Sequence, residues 1–420
     1  MALRRSERIF KRNHRRVPNE ISSIIIENLA DNLPSLRNLA LVCKDFAAMA
    51  RPQIFREIDL EPEERVADAP VRTFSLVHRL GSLLESSAIN QFIRRLHLSL
   101  KGTPSDEFEV VVRILHHLTA LTSLSIHGPE SGLFQEIETS PVGGTLKQLH
   151  LYSPLPCRWD FVSFKRMLLS LSRLEVLAVC GAPKFSEPGA LLLPGSLKIA
   201  SFACIPLDVL CAIGAGLEIA PLPSLRTLIL DPLAIKQEVY IIWNGLRSDT
   251  QIIYKVHAFH SGSQRQAKIF AFATRGVAVP TLTFICHQSP WLAHSFFRII
   301  PRLPSTVREI CINIVPTSQR NYALGRAVRP KQWTQFDSVL VKRHERGLLK
   351  RVCFRCTKCK DTDSPKHSIF SYSSLYHLPP GISSLENRTI LDVIEEKLPR
   401  SRSMGFLEVD RDTVFFEPTM

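Results

Sequence analysis

The sequence predicts an α/β solenoid that follows a short N-terminal helical module. Three observations carry this prediction. A short apolar phrase recurs at intervals of 23 to 28 residues, amphipathic helical segments lie between its copies, and several short helical segments are packed into the first 60 residues. A chain of 420 residues is long enough for a sizeable repeat domain and an extra module.

The recurring phrase is φ-x-x-φ-x-φ, where φ is an apolar residue. Its last two apolar positions are two residues apart, which is the spacing of one face of a β-strand. The intervals between the first six copies are 28, 25, 28, 23 and 28 residues, and weaker copies lie at "QIIYKVHAF" and "TLTFICHQ". The eight clear copies begin at Ile93, Leu121, Leu146, Leu174, Leu197, Leu225, Val307 and Leu349.

Segments with helical spacing separate these phrases. In "EFEVVVRILHHL" the apolar residues Val111, Ile114 and Leu115 fall on one face. The same pattern is present in "DFVSFKRMLLSL", "QEVYIIWNGL", "SQRQAKIFAFA", "SPWLAHSFFRII" and "KQWTQFDSVLVKRH". One strand and one helix per unit predict a curved stack with a parallel sheet on its inner wall and helices outside.

The L-x-x-L-x-L core of the phrase resembles leucine-rich repeats. The asparagine or cysteine that follows it in the standard repeat is mostly absent here, so the units are LRR-like and irregular. The predicted divisions are a basic flexible tail at 1–16, a helical module at 17–60, a linking helical segment at 61–92, the repeat domain at 93–375 and a C-terminal cap at 376–420. In the cap we expect a helix that starts with a capping box of Ser383 and Glu386, followed by a strand–turn–strand in "FLEVDRDTVFF".

The charge and the cysteines limit the compartments and partners. The net charge is +14, and seven basic residues against Glu7 precede Val17. The remaining charge forms no basic stripe interleaved with aromatic residues, which argues against nucleic-acid binding. Most of the ten cysteines lie singly in apolar segments, which is typical of an intracellular protein of the cytoplasm or nucleus. No apolar run is long enough to span a membrane, so we expect no membrane partner.

Sequence motifs of catalysis are absent. The chain has no phosphate-binding loop, no H-E-x-x-H and no G-x-S-x-G, so we expect a protein without enzymatic activity. One cluster, "VCFRCTKCKD", offers Cys353, Cys356 and Cys359 to a zinc ion, with His367 as a fourth ligand. Because strand alternation sends Cys353 and Cys356 to opposite faces, we predict neither a metal nor another cofactor.

The N-terminal module has the pattern of three short helices. Pro18 suits a first helical turn, and Ile21, Ile24, Ile25 and Leu29 share one face, with Ile26 off it. Pro34 separates a second helix that Ser35 is placed to cap, and "AAMARPQIF" follows as a third. So short a module cannot bury its own apolar surface. The surface must pack either on the solenoid or on a partner.

The order "VP-x-E-I…I-I…L…L-x-x-L-x-L-V-C-K-x-F" resembles the F-box motif of fungal F-box proteins. In this sequence Val17 stands where the motif usually has leucine, and Phe46 where tryptophan is frequent. The resemblance implies docking on a Skp-family adaptor that links the chain to a cullin scaffold. The residues that match the adaptor-binding positions are Pro18, Ile21, Ile25, Leu29, Leu36, Leu39, Val42 and Cys43.

The resemblance implies that the chain is the substrate-recognition subunit of a cullin–RING ubiquitin ligase. The LRR-like region would bind a target protein whose identity the sequence does not specify. The alternative is an LRR-like scaffold or nuclear interaction protein, associated with nucleic acid through the basic tail, that acts outside a ubiquitin ligase.

Overall fold

A computed structural model describes most of the predicted solenoid and the N-terminal helices. The residues that the structure describes are 19–30, 32–60, 71–86, 88–100, 105–153, 158–181, 184–185, 189–205, 207–232, 250–257, 281–287, 300–303, 305–315, 330–356 and 390–410. The predictions for the tail 1–16, for Pro18, for the segments 237–246, 263–273 and 289–299, and for the capping box at 383–386 lie outside them.

The recurring phrase forms a β-strand in each of its eight clear copies. Its second and third apolar residues lie within the strand, and its first residue precedes the strand; all of them are at most 2% exposed. These residues form what we call the core face of the sheet. The residues between them form the second face. Burial of one face defines the register, because a shift by one residue would exchange the two sets.

Twelve strands form one parallel sheet, and they follow one another in chain order. Parallel neighbours need crossover connections, and helices provide several of them. A separate two-stranded sheet joins β5, Arg158–Trp159, and β7, Lys184–Phe185. The strands of the large sheet are β1 Glu57–Leu60, β2 Arg95–Ser99, β3 Ser123–His127, β4 Gln148–Ser153, β6 Val176–Gly181, β8 Ile199–Ile205, β9 Thr227–Pro232, β10 Gln251–His257, β11 Thr281–His287, β12 Glu309–Val315, β13 Arg351–Cys356 and β14 Leu407–Asp410.

The helices at 105–117, 161–170 and 330–345 confirm three of the predicted helical segments, and their apolar faces are buried. Short 3-10 turns lie at Ala88–Gln91, Pro141–Gly144 and Ile300–Arg302. The helices are α1 Asn19–Asn28, α2 Leu33–Ala40, α3 Lys44–Ile54, α4 Val71–Ser86, α5 Ser105–His117, α6 Ser131–Thr139, α7 Phe161–Ser170, α8 Leu207–Ile219, α9 Pro330–Glu345, α10 Ile390–Lys397 and α11 Pro399–Ser403.

The chain divides into two compact units. The first comprises Met1–His127 and Thr139–Lys147, and the second comprises Gly128–Glu138 and Gln148–Met420. Within each unit, side-chain hydroxyls connect successive repeats. Thr122 Oγ1 donates to Arg94 O at 3.0 Å in the first unit, and Thr250 Oγ1 donates to Leu225 O at 3.0 Å in the second. These bonds add a side-chain link between neighbouring repeats, and Arg94 O also accepts from the backbone N–H groups of Thr122 and Ser123.

The C-terminal region contains the first strand of the expected strand–turn–strand. Strand β14 pairs in parallel with β13 and so extends the large sheet, while the expected second strand lies beyond the described residues. The sheet therefore begins at β1, before residue 93, and ends at β14, after residue 375.

Among the residues that the structure describes, no helix has both the length and the apolar content that crossing a bilayer requires.

Candidate functional site

The N-terminal helices expose an unusual amount of apolar surface. Twelve large apolar side chains are exposed in the described part of the chain, and six of them lie between residues 21 and 42. Apolar side chains that are exposed singly are common on protein surfaces, whereas a group of them in one short segment is typical of an interaction surface. We call these six the apolar set: Ile21, Ile24, Ile25, Leu33, Leu41 and Val42.

Helix α1 carries three members of the apolar set. Ile21, Ile24 and Ile25 are 49%, 57% and 42% exposed, as the helical spacing predicted for one shared face. Ile26, which the sequence placed off that face, is only 2% exposed. The helix therefore has two apolar stripes, and the one that contains Ile26 provides its attachment to the rest of the first unit.

The turn after helix α2 carries the most exposed members. Leu41 is 84% and Val42 is 67% exposed. Leu36, in contrast, is fully buried in this structure, while its predicted adaptor contact stays a prediction. The motif match did not reveal this, because partner-facing and core-facing leucines have the same spacing along α2. Leu29 and Leu39 are half-buried.

Side-chain caps hold the turns between the three helices. Asn32 Oδ1 accepts from Ser35 N at 3.1 Å, so Asn32 and not Ser35 caps helix α2. Cys43 Sγ accepts from Phe46 N at 3.4 Å and caps helix α3, which begins at Lys44. Cys43 is therefore an exposed residue that caps a helix. This local role is separate from the adaptor contact that the sequence predicts for it.

A polar cluster lies on the second face of the first strands. Glu57 on β1 lies 3.5 Å from His97 Nε2 and 3.3 Å from Arg95 Nη1, both on β2. The hydrogen bond to His97, with further help from Arg95, lowers the pKa of the Glu57 carboxyl. The three side chains are at least partly accessible and offer hydrogen bonds and charge of both signs to a polar ligand.

A second cluster occupies the second face of β12, β13 and β14. Cys311 is the register partner of Cys353, and each thiol shifts the pKa of the other. Arg351 Nε donates to Glu408 Oε2 at 2.6 Å, and Arg355 Nε lies 3.1 Å from Asp410 Oδ2. Both ion pairs link β13 to β14 across their register.

The structure describes only two of the four zinc candidates. Cys353 and Cys356 lie in β13, while Cys359 and His367 fall outside the described residues. Ligand atoms of Cys353, Glu408 and Asp410 do lie within 4.8 Å of one another. The two carboxylates already neutralise Arg351 and Arg355, and those guanidinium groups would repel a cation at this position. This trio therefore supplies no reason to assign a metal.

The sequence indicated Cys353 but not its partner. Cys311 and Cys353 are 42 positions apart in the chain, and only the strand register places them side by side. Each cysteine occupies the position after the second apolar residue of its own repeat phrase. An alignment of the repeats with one another would therefore have placed the two cysteines at the same position.

Comparisons with known proteins give the fold little further support. The chain matches no protein-family model and no curated protein. Among solved structures it is similar to the leucine-rich repeat-containing protein LegL7 from Legionella pneumophila, with 15% identity and a TM-score of 0.33. That similarity covers 71% of this chain and 90% of LegL7. At this level the similarity carries no argument about function, and the parallel repeat architecture rests on the strands and register described above.

Proposed function

We propose that this chain is the non-catalytic substrate-recognition subunit of a cullin–RING ubiquitin ligase. Its N-terminal helices would dock on a Skp-family adaptor bound to a cullin, and the second face of the LRR-like sheet would hold a target protein. The apolar set of residues 21–42 is the observation that carries this proposal. The chain would act by proximity, raising the effective concentration of the target near the transfer enzyme.

The apolar set can supply the apolar centre of a specific interface. Full burial of an aliphatic side chain contributes about 1.5–3 kcal/mol, so covering the exposed half of one contributes about 1 kcal/mol. Ile21, Ile24 and Ile25 on α1, with Leu41 and Val42 after α2, would together contribute about 5 kcal/mol in this way. These five side chains would form the apolar centre of the interface, and polar residues around them would orient the two proteins.

The test is direct binding of the full chain to a purified fungal Skp-family adaptor in complex with its cullin fragment. Ile24→Asp and Val42→Asp each place a carboxylate in the proposed interface. Each should weaken binding at least about thirtyfold, because an unpaired buried charge costs more than about 2 kcal/mol. Isothermal titration calorimetry measures this loss.

Val162→Asp is the matched control. Val162 is 59% exposed on helix α7, in the second unit, so it resembles Ile24 in exposure but lies outside the proposed interface. This variant should bind like the unaltered chain. Binding of the Ile24→Asp and Val42→Asp variants at unaltered affinity would contradict the docking surface. Absence of any binding by the unaltered chain would favour the scaffold that acts outside a ligase.

A further inference from the structure

Two cysteine side chains from distant repeats lie side by side on the second face of the sheet. Cys311 on β12 and Cys353 on β13 are register partners in adjacent parallel strands, so their side chains point the same way. Neighbouring strands lie about 4.8 Å apart, which is within the Cα separation of about 4.4–6.8 Å that a disulfide spans. Both thiols are free in this structure.

Charged neighbours make the two thiols unequal. The hydrogen bond with Cys353, with the positive charges of Arg355 and Arg351, lowers the pKa of the Cys311 thiol to about 7, although burial and Glu309 act in the opposite direction. The same hydrogen bond, together with burial, raises the pKa of Cys353. The pair therefore shares one thiolate near neutral pH, which the second thiol and the two guanidinium groups stabilise. Cys311 is half-buried and Cys353 is buried, so Cys311 is the sulfur that a reagent from solvent reaches first.

A buried amide lies beside the pair. Asn313 is two residues after Cys311 on the same face of β12, and Arg355 is its register partner. The side chain is 1% exposed, and neither atom of its carboxamide has a hydrogen-bond partner among the described residues. An amide buried without partners costs free energy unless it serves a ligand. Next to a thiolate, it offers both a donor and an acceptor to a small oxygen-containing group.

We propose that Cys311 and Cys353 form a peroxide-reactive thiol pair, in which Cys311 is the attacking residue and Cys353 the resolving residue. The Cys311 thiolate attacks one oxygen of hydrogen peroxide, so that an S–O bond forms, the O–O bond breaks and hydroxide leaves. Cys353 then attacks the Cys311 sulfur of the sulfenic acid. The S–S bond forms, the S–O bond breaks, and the leaving hydroxide takes the Cys353 proton as water.

Overall, two thiols and one peroxide give one disulfide and two waters. A dithiol reduces the bond by thiol–disulfide exchange, which restores the two thiols and converts the dithiol to its own disulfide. The pair differs from the C-x-x-C-x-x-C cluster that the sequence displays, since it uses only Cys353 of that cluster. The test of this proposal is independent of adaptor docking, because it measures the covalent state of two cysteines.

Cys211 is the matched control within the same chain. It has the same intermediate exposure class as Cys311, but burial and the nearby Asp208 raise its pKa above the ordinary value. Relative to an ordinary thiol pKa of 9.0, the pKa of about 7 raises the thiolate fraction of Cys311 at pH 7 about fiftyfold. A thiolate of lower pKa is also a weaker nucleophile, which reduces this advantage about eightfold. Cys311 should therefore react with iodoacetamide at least about fivefold faster than Cys211.

The experiment treats the purified full chain with one equivalent of hydrogen peroxide, blocks remaining thiols with iodoacetamide and maps peptides by mass spectrometry. The expected product is a cross-linked peptide pair containing Cys311 and Cys353, which dithiothreitol releases. In Cys353→Ala the cross-link should vanish and dimedone should trap a sulfenic acid at Cys311. In Cys311→Ser neither product should form, and Cys353→Ser provides a second resolving-residue variant if the alanine variant fails to fold.

The alkylation rate of Cys311 should rise with pH to a midpoint near 7, since the thiolate is the reacting form. Oxidation of Cys311 without the cross-link to Cys353 in the unaltered chain would overturn the proposal. Equal alkylation rates at Cys311 and Cys211 would overturn it as well.

Discussion

Replacing Asp337 with alanine should release the C-terminal end of the sheet from helix α9. The Asp337 carboxylate is 3% exposed and accepts from Arg400 N at 3.0 Å and from Ser401 N at 2.9 Å. It also accepts from the Ser401 hydroxyl at 2.5 Å. Helix α11 begins after Leu398, whose side chain gives no capping hydrogen bond. Asp337 thus supplies, from 63 residues away, the acceptor that a local N-cap normally provides.

The expected loss follows from these contacts. Hydrogen bonds to a charged group contribute about 1.5–3 kcal/mol each, and the two bonds to Ser401 are buried. Removal of a buried carboxylate also removes its desolvation cost, which offsets part of the loss. We therefore expect about 3 kcal/mol for Asp337→Ala, which corresponds to a roughly hundredfold change in the local opening equilibrium.

Hydrogen exchange measures this local opening without requiring two-state unfolding of the whole chain. The backbone amides of Leu407–Asp410 should exchange about a hundredfold faster in Asp337→Ala. Asp337→Asn keeps one acceptor oxygen for Ser401 and should accelerate exchange only about fivefold. Strand β2, in the other unit, serves as the internal reference. Unchanged exchange of β14 in Asp337→Ala would refute the inference that this carboxylate anchors the C-terminal strand.

Two further changes test the local chemistry of the second unit. Asp160→Ala should lower the free energy of unfolding by about 1 kcal/mol, because Asp160 Oδ2 caps helix α7 through Ser163 N at 2.8 Å. The bonds from Ser163 lower the pKa of Asp160, so the stability that Asp160 contributes is present above its ordinary pKa near 4 and is lost as the pH falls below it. The free energies of urea unfolding of the unaltered chain and of Asp160→Ala should therefore converge at acid pH. Gly216→Ala should destabilise by about 1–3 kcal/mol although alanine favours helices, because its Cβ would lie 1.9 Å from Leu191 O. Gly195→Ala, which meets no atom within 4 Å, should leave the melting temperature nearly unchanged, and equal effects of the two glycine variants would contradict the packing argument.

The repeat architecture could be predicted from the sequence because its physical cause is local. Each apolar phrase specifies a strand with one buried face, and its recurrence specifies a neighbour that buries the same face. The positions Leu96, Leu124 and Leu149 illustrate this, since each lies in its strand and is at most 1% exposed. Helices α5, α7 and α9 were predictable for the same reason, as amphipathic spacing of 3.6 residues separates them from the strands.

Local spacing was insufficient for the N-terminal module. The pattern separated the face of Ile21 and Ile25 on α1 from Ile26 but did not decide which of the two meets the core. It also assigned Leu36 to a partner, although this leucine is fully buried. Which apolar stripe meets the core depends on how three helices pack, and that packing has no signature in the spacing of a single helix.

Side-chain partnerships between distant segments required the tertiary structure. The sequence displays Cys353 within C-x-x-C-x-x-C, whereas its thiol meets Cys311 from the preceding repeat strand. Asp337 likewise caps a helix that begins 62 residues later in the chain, at Pro399. Periodic apolar residues specify strands, helices and their order, because burial of a face repeats along the chain. The register between strands and the contacts between helices decide which polar groups meet, because those contacts form only after the elements have packed.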